Sequence, residues 1–479
     1  MKNILHSLIL LIISSFIQVA IAQENEAEAK NRAIFNRIEY FFNSQQPDSI
    51  YQLASIDFQK KISAEQMNTV LNQLFSLGKI QEATLQTFEE GKATYKVNFE
   101  KETLSIVLRI DTFLNYNYLE FKPFQAVPIS KKDSVISNVE TKSPLDRYVD
   151  SIARNYATQS NAQSLSIAII HKNKINTFFY GETEKGNQTL PDANTLYEIG
   201  SITKTFTASL LAELVNTGII SLDDSISKFL PDSLANNPAL QKITFKMLAN
   251  HTSGLPRMAD NWNVGPKFNS SDPYAHYNQQ LLFSFLKNFQ TKTEPETEYL
   301  YSNIGYGLLG ELLTIISKKP YQQLLKDSVL VPLEMTSTTD VIDPKNLNVA
   351  YPHNEKGEKV PFWNFQALSA TGSLKSTLND MLRYVIAQLT YPESAIQKAM
   401  NLTKQYTFFV PPNSDIGLAW HMSMMEDVTY YYHTGNTAGS YSFIGFVPDD
   451  KSVVIILSNS STDIAAIGLN LLDKVLKTK

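Results

Sequence analysis

The 479-residue sequence contains no cysteine. That absence excludes disulfide staples, a thiol nucleophile, thiolate metal sites and a lipidated N-terminal cysteine. It also lacks any basic run or stripe, with 42 Lys and Arg against 47 Asp and Glu and a net charge of −5. A phosphate backbone finds nothing to grip, so nucleic acid is not an expected partner. The seven histidines are scattered, and neither an H-E-x-x-H pattern nor a close carboxylate cluster accompanies them. Neither a metal nor any other cofactor is therefore expected. Internal repeats and low-complexity tracts are missing too.

One long apolar run is present, at the very start. Lys2 is followed by a stretch free of formal charge from Ile4 to Ile21, with small residues at Ala20 and Ala22. This is the layout of a secretory signal, residues 1–22, cleaved after Ala22, and it predicts a periplasmic or secreted protein. The alternative is an uncleaved anchor, since the run is nearly long enough to span a bilayer. Membrane association is expected only in that case, because no second such segment follows.

Residues 23–125 read as a small α+β domain. "NRAIFNRIEYFFNSQ" and "SAEQMNTVLNQLFSLG" space their apolar residues as helices, and Ser63 with Glu65 offers a start signal for the second. "ATLQTFEEGKATYKVNFEKETLSIVLRIDTFLNYNYLEFKPF" alternates with period two and breaks at "EEGK", "EKET" and "LNYN", predicting a meander of three or four antiparallel strands. The pattern resembles the cone-shaped domains of the nuclear-transport-factor-like group. Residues 126–142 are polar and aperiodic and read as a linker.

From 143 to 479 a larger domain is expected. It opens with a helix, "LDRYVDSIARNYATQ", and a hairpin, "SLSIAIIHKNKINTFFYG", turning near Asn173. It closes with three strands, "VTYYYHTG", "SYSFIGFVPD" and "SVVIILSNS", and a last helix. The fold class is α+β: one antiparallel sheet built from both ends of the domain, flanked by helices, with a mostly helical middle.

The chemistry concentrates in that middle. "LYEIGSITKTFTASLLAELV" places Ser201 and Lys204 three residues apart at the start of an apolar helix. Serine needs a base within hydrogen-bond reach to attack at neutral pH. Residues three apart on a helix share a face, so Lys204 can reach the Ser201 hydroxyl. The helix start also favours the negative charge that develops when serine attacks a carbonyl. Spacing alone is weak evidence, because S-x-x-K recurs at Ser76/Lys79, Ser225/Lys228 and Ser284/Lys287, where surface residues are the expected reading. Two further stretches add weight. "EYLYSNIGYGLLGELL" sets Tyr301 and Asn303 before another apolar helix, and "YYYHTGNTAGSYSF" sets His433, Thr434 and Gly435 near the end of a strand.

With S-I-T-K, Y-S-N and H-T-G in this order, the chain resembles the β-lactamase and penicillin-binding serine hydrolase family. The branch is the one holding class C β-lactamases, D-Ala-D-Ala carboxypeptidases, D-aminopeptidases and certain esterases. "ITFKMLANHTSGLP", "VLVPLEMTSTT" and "ATGSLKSTLNDMLRYV" agree with it, and the resemblance runs from about Ser143 to Thr478. It implies Ser201 as the acylated nucleophile, Lys204 as the neighbouring base and Tyr301 as the second proton shuttle. Asn303 would bond Lys204 and the substrate amide, and the strand carrying His433, Thr434 and Gly435 would line the substrate. The backbone N–H groups of Ser201 and Asn436 would form the oxyanion hole.

One position departs from the class C pattern. His433 stands where those enzymes usually carry lysine, and histidine, with an ordinary pKa near 6.5, is mostly neutral at neutral pH. The expected protein is an exported serine hydrolase acting on an amide or ester in D-amino-acid or peptidoglycan-like peptides. A β-lactamase or carboxylester hydrolase is the alternative within the family. A penicillin-binding sensor with little turnover is the alternative outside catalysis. The expected partners are a small molecule or peptide, peptidoglycan fragments among them. His251 in "NHTSGLP" reads as a structural turn residue, Tyr430, Tyr431 and Tyr432 as strand packing, and Phe362, Trp363 and Phe365 as loop aromatics able to wall a cleft.

Overall fold

A computed structural model describes residues 27–89, 91–124, 130–263, 267–411, 413–425 and 427–478. The signal segment expected at 1–22 and the first linker residues, 126–129, lie outside them. Two compact units emerge.

In the first, helices at 27–43, Pro47–Gln52 and Ala64–Phe75 precede four strands, β1 (Ile80–Glu89), β2 (Lys92–Phe99), β3 (Thr103–Ile110) and β4 (Tyr116–Pro123). These pair antiparallel in chain order. Ser63 does start its helix, in a capping box closed by Gln66 rather than by Glu65. Period-two alternation turns Ala93, Tyr95, Val97 and Phe99 inward, onto Phe35, Ile38, Phe42 and Leu71. The buried Asn31 is satisfied there: it donates to the Leu108 carbonyl and accepts from the Tyr95 hydroxyl, both at 2.9 Å.

Residues Pro256–His276, inside the span 143–479 read as one larger domain, group with this first unit. Asn263 Nδ2 donates to the Ala29 carbonyl at 2.6 Å, and Arg257 Nε lies 3.5 Å from the Glu39 carboxylate. Burial raises the Glu39 pKa, with Arg257 and Arg32 pulling it back. Trp262 packs on Tyr274, ring centroids 5.3 Å apart. Nothing in the local pattern of this stretch distinguishes it from its neighbours, because its partners lie more than two hundred residues away.

The second unit holds an eight-stranded antiparallel sheet. It comprises β5 (Ser164–His171), β6 (Lys174–Gly181), β9 (Phe408–Val410), β10 (Ser414–Ile416), β11 (His421–Met425), β12 (Val428–Asn436), β13 (Tyr441–Val447) and β14 (Ser452–Ser458), in the order β6-β5-β14-β13-β12-β11-β10-β9. Two-residue strands β7 (Tyr197–Glu198) and β8 (Lys375–Ser376) form a separate pair. β14 pairs with β5, so both ends of the unit build one sheet, and helices Pro144–Ala157 and Ala465–Leu476 share a core with it. β9 to β11 escape sequence reading: two have three residues each, and "HMSMM" carries no β-branched residue.

Residues 130–142 are not a free tether. Ile136 accepts from the Gly181 amide at 2.8 Å, Ser137 bridges Tyr180, and the Lys132 amide donates to Thr158 at 2.6 Å. β6 is a sheet edge, and this segment satisfies main-chain groups the edge would otherwise expose.

Candidate active site

The nucleophile segment enters from β7. Gly200, at φ +47°, turns the chain into a 3₁₀ turn, Gly200–Ile202, that continues as the helix Thr203–Asn216. Every residue from Thr203 to Ala212 is buried, so this helix is apolar-packed all round. Lys204 is buried with it. An amine taken out of water needs hydrogen-bond partners, and Nζ donates to Ser201 Oγ at 3.0 Å and to the Thr371 carbonyl at 2.8 Å. It also sits 4.9 Å from the ring centre of Tyr301 and 5.7 Å from that of Tyr306.

Tyr301 approaches from the other side, its hydroxyl 2.8 Å from Ser201 Oγ. The segment behind it is pinned by His251. The Leu300 amide donates to the His251 carbonyl at 2.8 Å, and the Ser302 amide donates to His251 Nδ1 at 3.0 Å. The His251 ring lies 4.4 Å from the Tyr301 ring. Its structural bond thus holds the tyrosine, and the residue adopts a left-handed backbone, φ +62°, to make it. Ser302 caps the helix Asn303–Ser317, accepting from the Gly305 amide, and Asn303 lies half-buried in its first turn.

β12 forms the opposite wall. A Cβ on Gly435 would overlap the Ile199 carbonyl oxygen and lie 2.9 Å from the Ser201 amide nitrogen, so only glycine lets the strand come this close. A Cβ on Gly200 would lie 2.7 Å from the Asn436 nitrogen. The backbone around Ser201 and the backbone at Asn436 therefore meet across one narrow gap. Ser442 Oγ fastens it, reaching the Ile199 carbonyl at 2.9 Å and the Gly435 carbonyl at 3.3 Å. Thr434 is half-buried beside it.

His433 is buried, with Nδ1 2.6 Å from the Thr434 carbonyl. A carbonyl only accepts, so Nδ1 carries the proton and Nε2 keeps a bare lone pair. Burial, then His421, then Lys204 push its pKa well below the usual value. His421, ring centroid 5.8 Å away and stacked on Tyr432, is itself pushed down by burial to about 4. The histidine expected to be mostly neutral is neutral over a wider range than its free pKa allows.

Sequence reasoning missed four contributors: the Thr371 carbonyl, Ser442, His421 and Glu198. Only Glu198 left a trace, a charge inside the apolar run "LYEIG". Burial raises its pKa, opposed first by Lys375 and then by its hydrogen bonds. Of the loop aromatics, Phe365 lies against Gly372 and Phe362 packs near Tyr351. Tyr431 stacks on Phe446, as strand packing requires. Among the described residues no group of His, Cys, Asp and Glu could hold a metal ion, and no helix is long and apolar enough to cross a membrane.

A family profile described as Beta-lactamase matches residues 149–472. The D-alanyl-D-alanine-carboxypeptidase/endopeptidase AmpH of Escherichia coli strain K12 is 29% identical over 324 residues, covering 64% of this chain and 80% of that protein. A beta-lactamase of Psychrobacter immobilis is 24% identical over 374 residues, covering 69% and 88%. Among solved structures, a beta-lactamase/D-alanine carboxypeptidase from Pseudomonas syringae superposes with a TM-score of 0.62 at 25% identity, covering 70% of this chain and 99% of that one. A class C beta-lactamase gives 0.62 at 23% identity, covering 71% and 98%, a likeness of fold.

Proposed function

Starting from a chain that belongs to the beta-lactamase family, we propose an exported serine hydrolase that works through an acyl-enzyme on Ser201. The observation that carries this reading is the placement of Ser201 Oγ 3.0 Å from Lys204 Nζ and 2.8 Å from the Tyr301 hydroxyl. Either neighbour can take the serine proton as Oγ attacks a carbonyl carbon. The oxyanion then develops in the gap between the backbone N–H groups of Ser201 and Asn436. Each such donor contributes about 2.7–4 kcal/mol of transition-state stabilisation. Collapse of the tetrahedral intermediate breaks the amide or ester bond while Tyr301 protonates the leaving group. Tyr301 then activates the water that frees Ser201. Asn303, His433, Thr434 and Gly435 line the substrate.

The substrates of this reading are amides or esters beside a small or D-configured residue, in peptidoglycan-like peptides. Support comes from the carboxypeptidase names of the Escherichia coli and Pseudomonas syringae relatives. The neutral His433 supplies no fixed cation for a substrate carboxylate, whether of a β-lactam or of a D-Ala terminus, so the β-lactamase reading is not separated by this residue. Export rests on residues 1–22.

The test is to incubate the mature protein with a fluorescent penicillin and with an activated ester, and to locate the adduct by peptide mass. Label on Ser201 that is released with product within minutes is the expected result. Equal label in Ser201→Ala removes the nucleophile assignment, and label persisting for hours turns the reading to a sensor.

A further inference from the structure

Three residues ahead of Ser201 the chain buries a carboxylate outside all three motifs. Glu198 is 2% exposed. One oxygen accepts from Thr437 Oγ1 at 2.6 Å and from Ser440 Oγ at 3.3 Å; the other accepts from the Trp363 amide at 2.8 Å. Lys375 is its partner in register across β7 and β8, and Lys375 Nζ donates to the carbonyls of Trp363 at 2.8 Å and Asp340 at 3.1 Å. One side chain therefore binds the nucleophile segment to the turn that follows β12 and to the loop carrying Trp363.

A bare apolar packing role would not need a buried charge, which is tolerated only where donors converge on it. The donors here have a common location. Thr437 follows Asn436 directly, and its Oγ1 also accepts from the amides of Ser440 at 3.2 Å and Gly439 at 3.4 Å, closing the turn around the hydroxyl that Glu198 holds. The two backbone amides assigned to the oxyanion hole thus lie on two segments, one containing Glu198 and the other beginning next to its tightest donor.

We propose that Glu198 is a positioning residue that sets the separation of the Ser201 and Asn436 amides by clamping the 437–440 turn onto the nucleophile segment. The inference rests on the reading of Ser201 as nucleophile and Asn436 as oxyanion donor. Such a clamp acts on the transition state, whose oxygen enters the gap, and leaves ground-state binding on the outer walls alone.

The test uses the full mature chain with Glu198→Gln, Thr437→Val and Thr437→Ser. Turnover of an activated ester is measured beside affinity for a boronic acid, whose tetrahedral adduct places an oxygen in the gap. Glu198→Gln and Thr437→Val are expected to lower kcat about 10- to 100-fold, with KM within about twofold. Boronate affinity falls in step with kcat/KM, Thr437→Ser restores turnover, and the double variant is no worse than the worse single one. Unchanged kcat, or a loss explained by the unfolded fraction with boronate affinity intact, overturns the proposal. Should Glu198→Gln fail to fold, the contrast between Thr437→Val and Thr437→Ser decides alone. Ser201→Ala separates the two levels. If it still turns over, the nucleophile reading is wrong; if it is dead while the Glu198 and Thr437 variants match wild type, only the clamp falls.

Discussion

The Ser201/Lys204 and Ser225/Lys228 tetrads share a spacing and differ in everything around it. Lys228 is exposed, salt-bridged to Asp224 at 2.6 Å, and Ser225 caps a short 3₁₀ turn while its hydroxyl reaches Ser227 and the Gln241 carbonyl. Lys204 is buried and bonds the serine itself and a main-chain carbonyl, between two tyrosine rings. Lys228 is held by a carboxylate in water, away from its serine. Lys204 instead lies out of water against a hydroxyl, a carbonyl and aromatic rings, with the serine oxygen in direct reach. The motif is therefore a statement about burial, with the three-residue spacing as its precondition.

The comparison breaks most visibly at the serines. Ser201→Ala is expected to lower kcat by at least about 10⁴-fold, whereas Ser225→Ala leaves kcat/KM within about twofold of wild type. Steady-state hydrolysis of the same ester by both variants checks it. Next come the lysines: Lys204→Met should cost about 10²- to 10⁴-fold in kcat with melting temperature kept, and Lys228→Met should cost no activity. Gly435→Ala follows, because its Cβ has no room against the Ile199 carbonyl. Displacing β12 from Ser201 is expected to cost about 10²-fold in kcat, read against the melting temperature of the same variant.

The smallest effect concerns the dryness that separates the two tetrads. His421 and His433 titrate below 6.5 in the folded chain, His421 at about 4, while the unfolded chain binds its protons near 6.5. Below pH 6.5 the unfolded state therefore holds more protons, and stability falls as pH drops from 6.5 towards 4. His421→Phe should flatten that fall, measured as urea midpoints at pH 7, 6 and 5. The rings packed on His421 are those of His433, Tyr432 and Tyr299.

Legibility in the sequence followed the range of the interactions. The helix carrying Lys204, the β5–β6 hairpin and the last three strands were readable because alternation and spacing are local. Tyr301 and His433 were readable because they sit in short motifs whose order carries information. The Thr371 carbonyl was invisible, since any residue offers one, and it became relevant only by lying under Lys204. Glu198 showed as an acid in an apolar run, but its partners at 363, 437 and 440 could not be read from a window of twenty residues. β9 to β11 were too short to alternate, and they form strands because β12 offers them an edge.

The excursion Pro256–His276 carries a practical consequence. A ribosome delivers residues 27–124 long before Arg257, so Glu39 must wait for its guanidinium and Ala29 for the Asn263 amide until more than half of the chain has been made. A clone cut near residue 125 would mutilate both products. The front piece would keep a desolvated acid without that arginine, and the back piece would lose the Glu39 carboxylate beside Arg257 and the Ala29 carbonyl that Asn263 donates to. Those who wish to express either part alone should graft or delete at 256 and 276, where the first unit begins and ends its second claim on the chain.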